Sequence, residues 1–223
     1  MIMICVKVEF EEEVISSICI EGPNDCPSCL KEHIDLREIV GWETQINKIT
    51  KVVDGKVKEE YESYRQCFDA CKAILINAGL SSGSAMSDMV IQVATQISNV
   101  EVKDRNDQNK YLEINAEKAI EGLEYIDEQL SLGYPILVGV DYKYGSSNKD
   151  NVTDHFVVIV GRGCKEDNVF YYFYEVGTYW DKKGMSDENK LYLENDNNSL
   201  RGKPFYDTRR KYVVSQVRRN KLS

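Results

Sequence analysis

The chain has 223 residues, enough for one large domain or for one domain with a smaller appendage. Its formal net charge of −9 argues against nucleic acid as a partner, because phosphate binding requires clustered positive charge. No apolar run approaches the roughly eighteen to twenty residues of a membrane-spanning helix, and the acidic N-terminus is unlike a signal peptide, so we expect neither of these segments.

The first part of the chain is predicted to form short strands followed by a helix. Ile4, Val6, Val8 and Phe10 alternate with polar residues up to position 10, which is the pattern of a strand. In residues 28–53 the apolar positions recur at mixed spacings of three, four and five, which favours a helix ended by Asp54 and Gly55.

Three further helices are predicted in the middle of the chain. Residues 58–77 carry an apolar stripe and end before Gly79, a natural C-cap. Residues 84–97 repeat apolar side chains at helical spacing after a serine-rich loop. Residues 115–132 form a third amphipathic pattern, closed by Gly133.

The remainder of the chain is predicted to be strands. Runs rich in β-branched and aromatic residues favour strands, and they occupy residues 135–142, 155–160, 169–176, 190–193 and 212–217. Helices followed by strands predict an α+β fold with a mostly antiparallel sheet.

Cys67 and His155 are the candidate nucleophile and base. Cys67 follows Gln66 at the head of a predicted helix, where unpaired amides and the macrodipole lower a thiol pKa and can also stabilise an oxyanion. The chain has only two histidines, His33 and His155, and His155 follows Asp154 at the start of a predicted strand. The competing interpretation is that Cys67 and Cys71 are simply small apolar residues on a buried helix face.

Glu175 is the candidate third member of a triad. A nucleophile and base need a group that accepts the other imidazole N–H and orients the ring. Glu175 ends the strand that follows the His155 strand. The alternative is a strand residue whose side chain faces solvent.

Four segments together carry a family resemblance: QCFDACKAIL, GYPILVGVDY, DHFVVIVGRG and FYEVG. They resemble the papain-like cysteine peptidase and amidase superfamily, closest to its bacterial double-glycine (bacteriocin-processing) peptidase-like group. The resemblance covers residues 61–176 and implies a papain-like fold with Cys67 as nucleophile, His155 as base and Glu175 as orienter. These enzymes commonly carry an oxyanion-donating glutamine several residues before the cysteine, where this chain has Tyr61, Ser63 and Tyr64. The adjacent Gln66 is our candidate for that role, with a tyrosine hydroxyl or the backbone amides as alternatives. We accordingly divide the chain into an N-terminal strand and helical extension, residues 1–55, and a papain-like cysteine hydrolase domain, residues 56–223.

The resemblance implies a cysteine hydrolase that cleaves peptide or isopeptide bonds without a cofactor. Peptidoglycan stem peptides are the first substrate to consider, in a peptidoglycan-cleaving amidase or a secreted antibacterial effector with an inhibitor (immunity) protein as partner. Three alternatives stay open: a non-catalytic binding module that retains the fold, a protein deamidase or transglutaminase-type acyl transferase on the same triad, and a small zinc-stabilised adaptor in which residues 1–55 bind a partner.

The remaining cysteines leave the question of zinc open. Cys26 and Cys29 form a C-x-x-C that, with Cys5 and Cys19, would supply four ligands, although one such motif is a weak signal and we predict no metal site. Seven cysteines are too few for a disulfide scaffold of this length. We therefore expect free thiols and a protein that is cytoplasmic as synthesised, with export without a signal peptide as an open alternative.

Overall fold

Six antiparallel strands close into a barrel, and this barrel organises the rest of the chain. A computed structural model describes residues 4–6, 18–20, 33–81, 89–146 and 148–222. The first nine strands are β1 (Ile4–Val6), β2 (Ile18–Ile20), β3 (Ile34–Asp35), β4 (Ile46–Val53), β5 (Lys56–Ser63), β6 (Leu80–Ser81), β7 (Val90–Gln92), β8 (Ala94–Gln96) and β9 (Leu112–Ile114). The later strands are β10 (Ile136–Asp141), β11 (His155–Lys165), β12 (Asn168–Tyr174), β13 (Lys190–Leu193), β14 (Leu200–Lys203), β15 (Tyr212–Arg218) and β16 (Lys221–Leu222). The α-helices are α1 (Cys67–Asn77), α2 (Ala116–Ser131) and the single turn α3 (Asp181–Gly184).

The barrel runs in the order β10, β11, β12, β13, β14, β15, and pairing of β15 with β10 closes it. Two register shifts bend the strands: one in β15 between the partners of Gly139 and Val140, and one in β11 between Ile159 and Gly161. Such bulges increase local twist and curvature, which closure of so few strands requires. Outside the ring, β3 pairs with β11 and β7 pairs with β15.

Two helices cover part of the barrel wall. Strands β10 and β15 are buried at every residue, and β11 is buried from His155 to Gly163. Burial on both faces explains why β10 and β11 read as nearly continuous apolar runs rather than as alternating patterns. One face lines the barrel interior, and helices α1 and α2 pack against the other.

The expected α+β papain-like fold, with helices first and a sheet afterwards, is wrong. Helix accounts for only about 19% of the described residues, and the closed antiparallel barrel dominates the structure. The predicted helix over residues 28–53 is replaced, in its described part, by β3 and β4. The predicted helix over residues 84–97 is replaced, in its described part, by β7 and β8. In both segments, strand pairing with β11, β5, β15 and β9 overrides the apolar spacing.

Other predicted elements are confirmed. Helix α2 matches the predicted 115–132 pattern, with the Asn115 side chain accepting a hydrogen bond from the Lys118 amide at 3.0 Å as N-cap. The five predicted strand runs correspond to β10, β11, β12, β13 and β15. The predicted 58–77 helix is confirmed only from Cys67 onward, because residues before it belong to β5.

Strands β4 and β5 form a hairpin that stands largely in solvent. All eight residues of β5 are exposed, as are six of the eight in β4. Asp54 and Gly55 make the turn with φ of 53° and 72°, as a two-residue type I′ turn requires. The predicted division of the chain at residue 55 falls in this turn. At the hairpin base, the Gln45 amide donates to the Val176 carbonyl at 3.0 Å.

Candidate active site

The candidate nucleophile is the first residue of α1. Gln66 precedes the helix in an extended conformation, and Cys67 is half-buried. The helix forms here because its buried positions, Ala70, Cys71, Ile74 and Leu75, make one apolar stripe that packs on β10 and β11. The thiol therefore lies where the first-turn amides of the helix have no intrahelical acceptor.

An aromatic pair joins the helix start to the start of β11. The rings of Phe68 and Phe156 meet edge to face with centroids 5.0 Å apart. Each ring belongs to the residue immediately after a candidate catalytic group, Cys67 or His155. This contact helps to hold the helix start against the strand, and so the thiol near the imidazole.

The Cys67 thiol lies within range of electrostatic interaction with the His155 ring. Burial acts to raise the pKa of the thiol, but the hydrogen bond to His155, the charge of the ring, and hydrogen bonds from the backbone at Phe156 and Phe68 together lower it below its ordinary value. The arrangement favours a thiolate paired with an imidazolium.

The other side of the His155 ring meets Glu175. The Nε2 atom lies 2.8 Å from Glu175 Oε1, which leaves Nδ1 as the ring nitrogen for the thiol. Only 5% of His155 is exposed. Burial acts to lower the pKa of His155, but the Glu175 charge and the hydrogen bonds to Cys67 and Glu175 outweigh burial and raise it.

Three donors hold the Glu175 carboxylate, whose residue is 0% exposed. Oε1 contacts His155 and accepts from the Gly177 amide at 2.6 Å, while Oε2 accepts from the Tyr212 hydroxyl at 2.9 Å. Burial acts to raise the pKa of Glu175, but the positive charge of His155 and these hydrogen bonds lower it below the ordinary value. The carboxylate is therefore anionic and can stabilise a protonated ring.

Gly177 is needed where the chain passes this carboxylate. A Cβ atom at this position would lie 2.8 Å from Glu175 Oε1 and 3.1 Å from the Tyr206 hydroxyl oxygen. The absence of a side chain lets the Gly177 amide approach the carboxylate closely enough to donate to it.

The structure brings together Cys67, His155 and Glu175, the three residues singled out in the sequence. Gln66 lies at the N-cap, but its side chain is exposed and makes no capping hydrogen bond, so its oxyanion role stays a prediction. Asp154 turns away from the histidine: its Oδ2 accepts from the amides of Tyr142 and Lys143 at 3.0 and 2.9 Å.

The other histidine, His33, and the neighbouring cysteine, Cys71, take no part in this site. His33 is exposed and packs edge to face against Tyr172, beside Gly163 of β11. Gly163 is eight residues along the strand from His155, or roughly 26 Å at the rise of a β-strand. Cys71 is completely buried, and burial raises the pKa of its thiol well above the ordinary value.

Sequence reasoning missed two groups that hold the site together. Tyr212 appeared only as the first residue of a predicted closing strand, and nothing local to it points to Glu175. Gly177 follows Glu175 by two positions, and a glycine just after a strand is the one available signal of a close backbone approach.

The four cysteines considered as zinc ligands, Cys5, Cys19, Cys26 and Cys29, lie outside the residues whose side chains the structure describes. Among the described residues, no group of three or more histidine, cysteine, aspartate or glutamate side chains is arranged to hold a metal ion. Cys67 and Cys71 are free thiols, as expected, whereas Cys164 is disulfide-bonded.

Comparison with protein-family models, with curated proteins and with solved structures finds no match for this chain. No helix in the described part of the chain is long and apolar enough to cross a membrane.

Proposed function

We propose that this protein is a cysteine hydrolase that cleaves amide bonds with Cys67, His155 and Glu175. One observation carries the proposal: a helix-start thiol whose pKa is lowered by a neighbouring imidazole, the Nε2 atom of which lies 2.8 Å from a fully buried carboxylate. A nucleophile, a base and an orienting acid in this order form the constellation of acyl-transfer catalysis, which recurs on unrelated folds. The barrel fold therefore does not count against the chemistry.

In the proposed reaction, the Cys67 thiolate attacks the carbonyl carbon of the amide, and the electron pair of the C=O bond moves to oxygen. The imidazolium of His155 then donates its proton to the departing amine, and a thioester remains on Cys67. Water attacks the thioester while His155 takes one of its protons, and release of the carboxylic acid restores the thiolate and imidazolium.

The oxyanion needs donors beside the nucleophile. The unpaired amides in the first turn of α1 are the proposed donors, because the Phe68 backbone already interacts with the Cys67 thiol and the helix start carries the positive end of the dipole. Gln66 is kept as a second candidate, since it is exposed and directly adjacent to the thiol.

The proposed substrate is a peptide or isopeptide bond, with peptidoglycan stem peptides as the first compounds to assay. This choice, and the proposed use as a secreted antibacterial effector, rest on the resemblance of the sequence motifs. The triad defines a reaction and does not by itself select a substrate.

The first test is the pH dependence of Cys67 alkylation by iodoacetamide, in the parent and in His155→Ala. Cys67 and Cys71 lie in one tryptic peptide, QCFDACK, and fragment ions separate them. We expect Cys67 to react rapidly at pH 6 to 7 in the parent and at least about tenfold more slowly in His155→Ala, because the thiol loses its paired cation. Labelling of buried Cys71 reports unfolding in the same sample, and His33→Ala is the matched control.

Two results would change the conclusion. Parent Cys67 that reacts no faster than an ordinary free thiol would contradict the hydrolase and favour a binding module. An activated thiol that releases ammonia from protein glutamine without cleaving the chain would instead show deamidation, which uses the same thioester.

A further inference from the structure

We propose that Tyr212 is a positioning residue of this site, whose buried hydroxyl holds the Glu175 carboxylate in place against His155. The inference rests on the proposed function and adds a fourth residue to its machinery. Tyr212 begins β15, on a different strand from His155 and Glu175. It acts through Glu175 and does not contact the thiol in the proposed reaction.

The buried Tyr212 hydroxyl is placed to donate a hydrogen bond to the Glu175 carboxylate. Tyr212 is 1% exposed, and its hydroxyl donates to Glu175 Oε2 at 2.9 Å. The other carboxylate oxygen is already shared between His155 and the Gly177 amide. Among the described residues, the Tyr212 hydroxyl is the hydrogen-bond donor to Oε2, so its removal would leave a buried charged oxygen without that partner.

The contact with Tyr212 is needed because residue 175 is a glutamate. A glutamate side chain has one more rotatable bond than aspartate or asparagine, so a single hydrogen bond to His155 would leave the carboxylate free to rotate. Donors on both oxygens fix the plane of the carboxylate. The hydroxyl also favours the ionised form, and it contributes to the lowered pKa of Glu175.

A second layer of side chains holds Tyr212 itself. The Arg210 guanidinium and the Tyr206 side chain lie near the Tyr212 hydroxyl, and the ring centroids of Tyr142 and Tyr212 are 6.0 Å apart. The titratable or charged groups that face Glu175 and Tyr212 are His155, Cys71, Tyr142, Tyr206 and Arg210, with Asp207 beyond Arg210. None of these donates to Oε2 in the structure as described.

The test is the acid side of the pH profile for Cys67 alkylation, measured on the full chain in the parent, Tyr212→Phe and Tyr171→Phe. Loss of the hydroxyl makes Glu175 easier to protonate, and the imidazolium then loses its counter-charge. We therefore expect the fall in alkylation rate on acidification to begin about one pH unit higher in Tyr212→Phe. Tyr171→Phe is the matched control, because Tyr171 is equally buried and donates to a different carboxylate, Asp127 Oδ1, at 2.9 Å.

A double-mutant cycle separates positioning from a general effect on the fold. In a Glu175→Gln background, Tyr212→Phe should produce no further shift, because no carboxylate remains to be held. If Tyr212→Phe does not fold, 3-fluorotyrosine at position 212 retains the hydroxyl and makes it a stronger donor. The same acid limb should then move to lower pH.

The outcomes distinguish this inference from the proposed function. A parent Cys67 without enhanced reactivity contradicts the hydrolase itself. An activated parent whose acid limb is the same in Tyr212→Phe, or in the fluorotyrosine protein, overturns the role of Tyr212 and leaves the hydrolase intact. Equal shifts in Tyr212→Phe and Tyr171→Phe, or an undiminished shift in the Glu175→Gln background, also overturn it.

Discussion

Cys67 and Cys71 lie four residues apart in one helix, but their thiol pKa values shift in opposite directions. Both thiols lie on α1, but Cys71 faces the apolar core and Cys67 faces an imidazole at the helix start. Burial acts to raise both pKa values, and only at Cys67 do the His155 contact and the backbone donors outweigh it. The position of a cysteine within the helix therefore decides whether its thiol pKa is lowered or raised.

Gly177 offers a prediction about this residue-scale geometry. In Gly177→Ala the new methyl would lie 2.8 Å from Glu175 Oε1, so the carboxylate must move away from His155. We expect Cys67 alkylation at pH 7 to slow by about tenfold, which corresponds to roughly 1.4 kcal/mol. Gly41→Ala is the control, because a Cβ there meets nothing within 4 Å. An unchanged alkylation rate in Gly177→Ala would show that the carboxylate tolerates displacement.

The candidate site could be predicted only in part. Cys67, His155 and Glu175 carry local signals: a helix start, a scarce histidine and a strand end. Tyr212 carries none, because its role depends on β15 lying beside β10, a pairing of residues more than seventy positions apart. Side chains that support a site from a distant strand can be assigned only after the topology is known.

Among the elements, α2 was predictable because its signals are local. It has an N-cap, an amphipathic pattern over sixteen residues and a terminating Gly133 with φ of 80°. Residues 34–53 and 90–96 were wrongly predicted to be helical, because short apolar runs with mixed spacing are compatible with either a helix or a strand. Their pairing partners, among them β11 and β15, decided the outcome.

The N-cap of α2 gives a prediction at the scale of elements. Asn115→Ala removes the side-chain oxygen that accepts from the Lys118 amide, and we expect the free energy of unfolding to fall by about 1 kcal/mol. Urea denaturation measures the change, with the exposed mid-helix substitution Glu124→Ala as control. Equal effects of the two substitutions would show that the cap contributes nothing. Cys67 alkylation should be the same in both variants, since α2 takes no part in the site.

For the whole molecule, closure of the barrel assembles the site at one end. In an antiparallel ring the start of one strand adjoins the end of the next, so His155 at the start of β11 lies beside the end of β10 and near Glu175 after β12. The start of β15 reaches the same end through its pairing with β10. Residues far apart in sequence thus meet because the strands form a ring.

The same end of the barrel holds a second buried carboxyl group, that of Asp141. Its protonation makes the stability of the fold depend on pH. Burial, together with the charges of Asp154 and Asp150, raises the pKa of Asp141 to about 7 against the hydrogen bonds from Tyr111 and Gln108. Because this pKa lies above that of the unfolded chain, the folded state binds the proton more tightly. Stability must then fall as pH rises from about 4 to about 7 and stay at the lower level above that range.

Asp141→Asn should remove this loss. An amide is neutral throughout the range and still accepts from the Tyr111 hydroxyl, so the free energy of unfolding should decline less between pH 5 and pH 8, by about 3 kcal/mol relative to the parent. Denaturation at both pH values tests this, with the exposed Asp196→Asn as control. Parallel pH profiles for the parent and Asp141→Asn would mean that Asp141 is ionised in the folded state at pH 5. In that case the Tyr111 and Gln108 hydrogen bonds, and not the proton, would compensate for its burial.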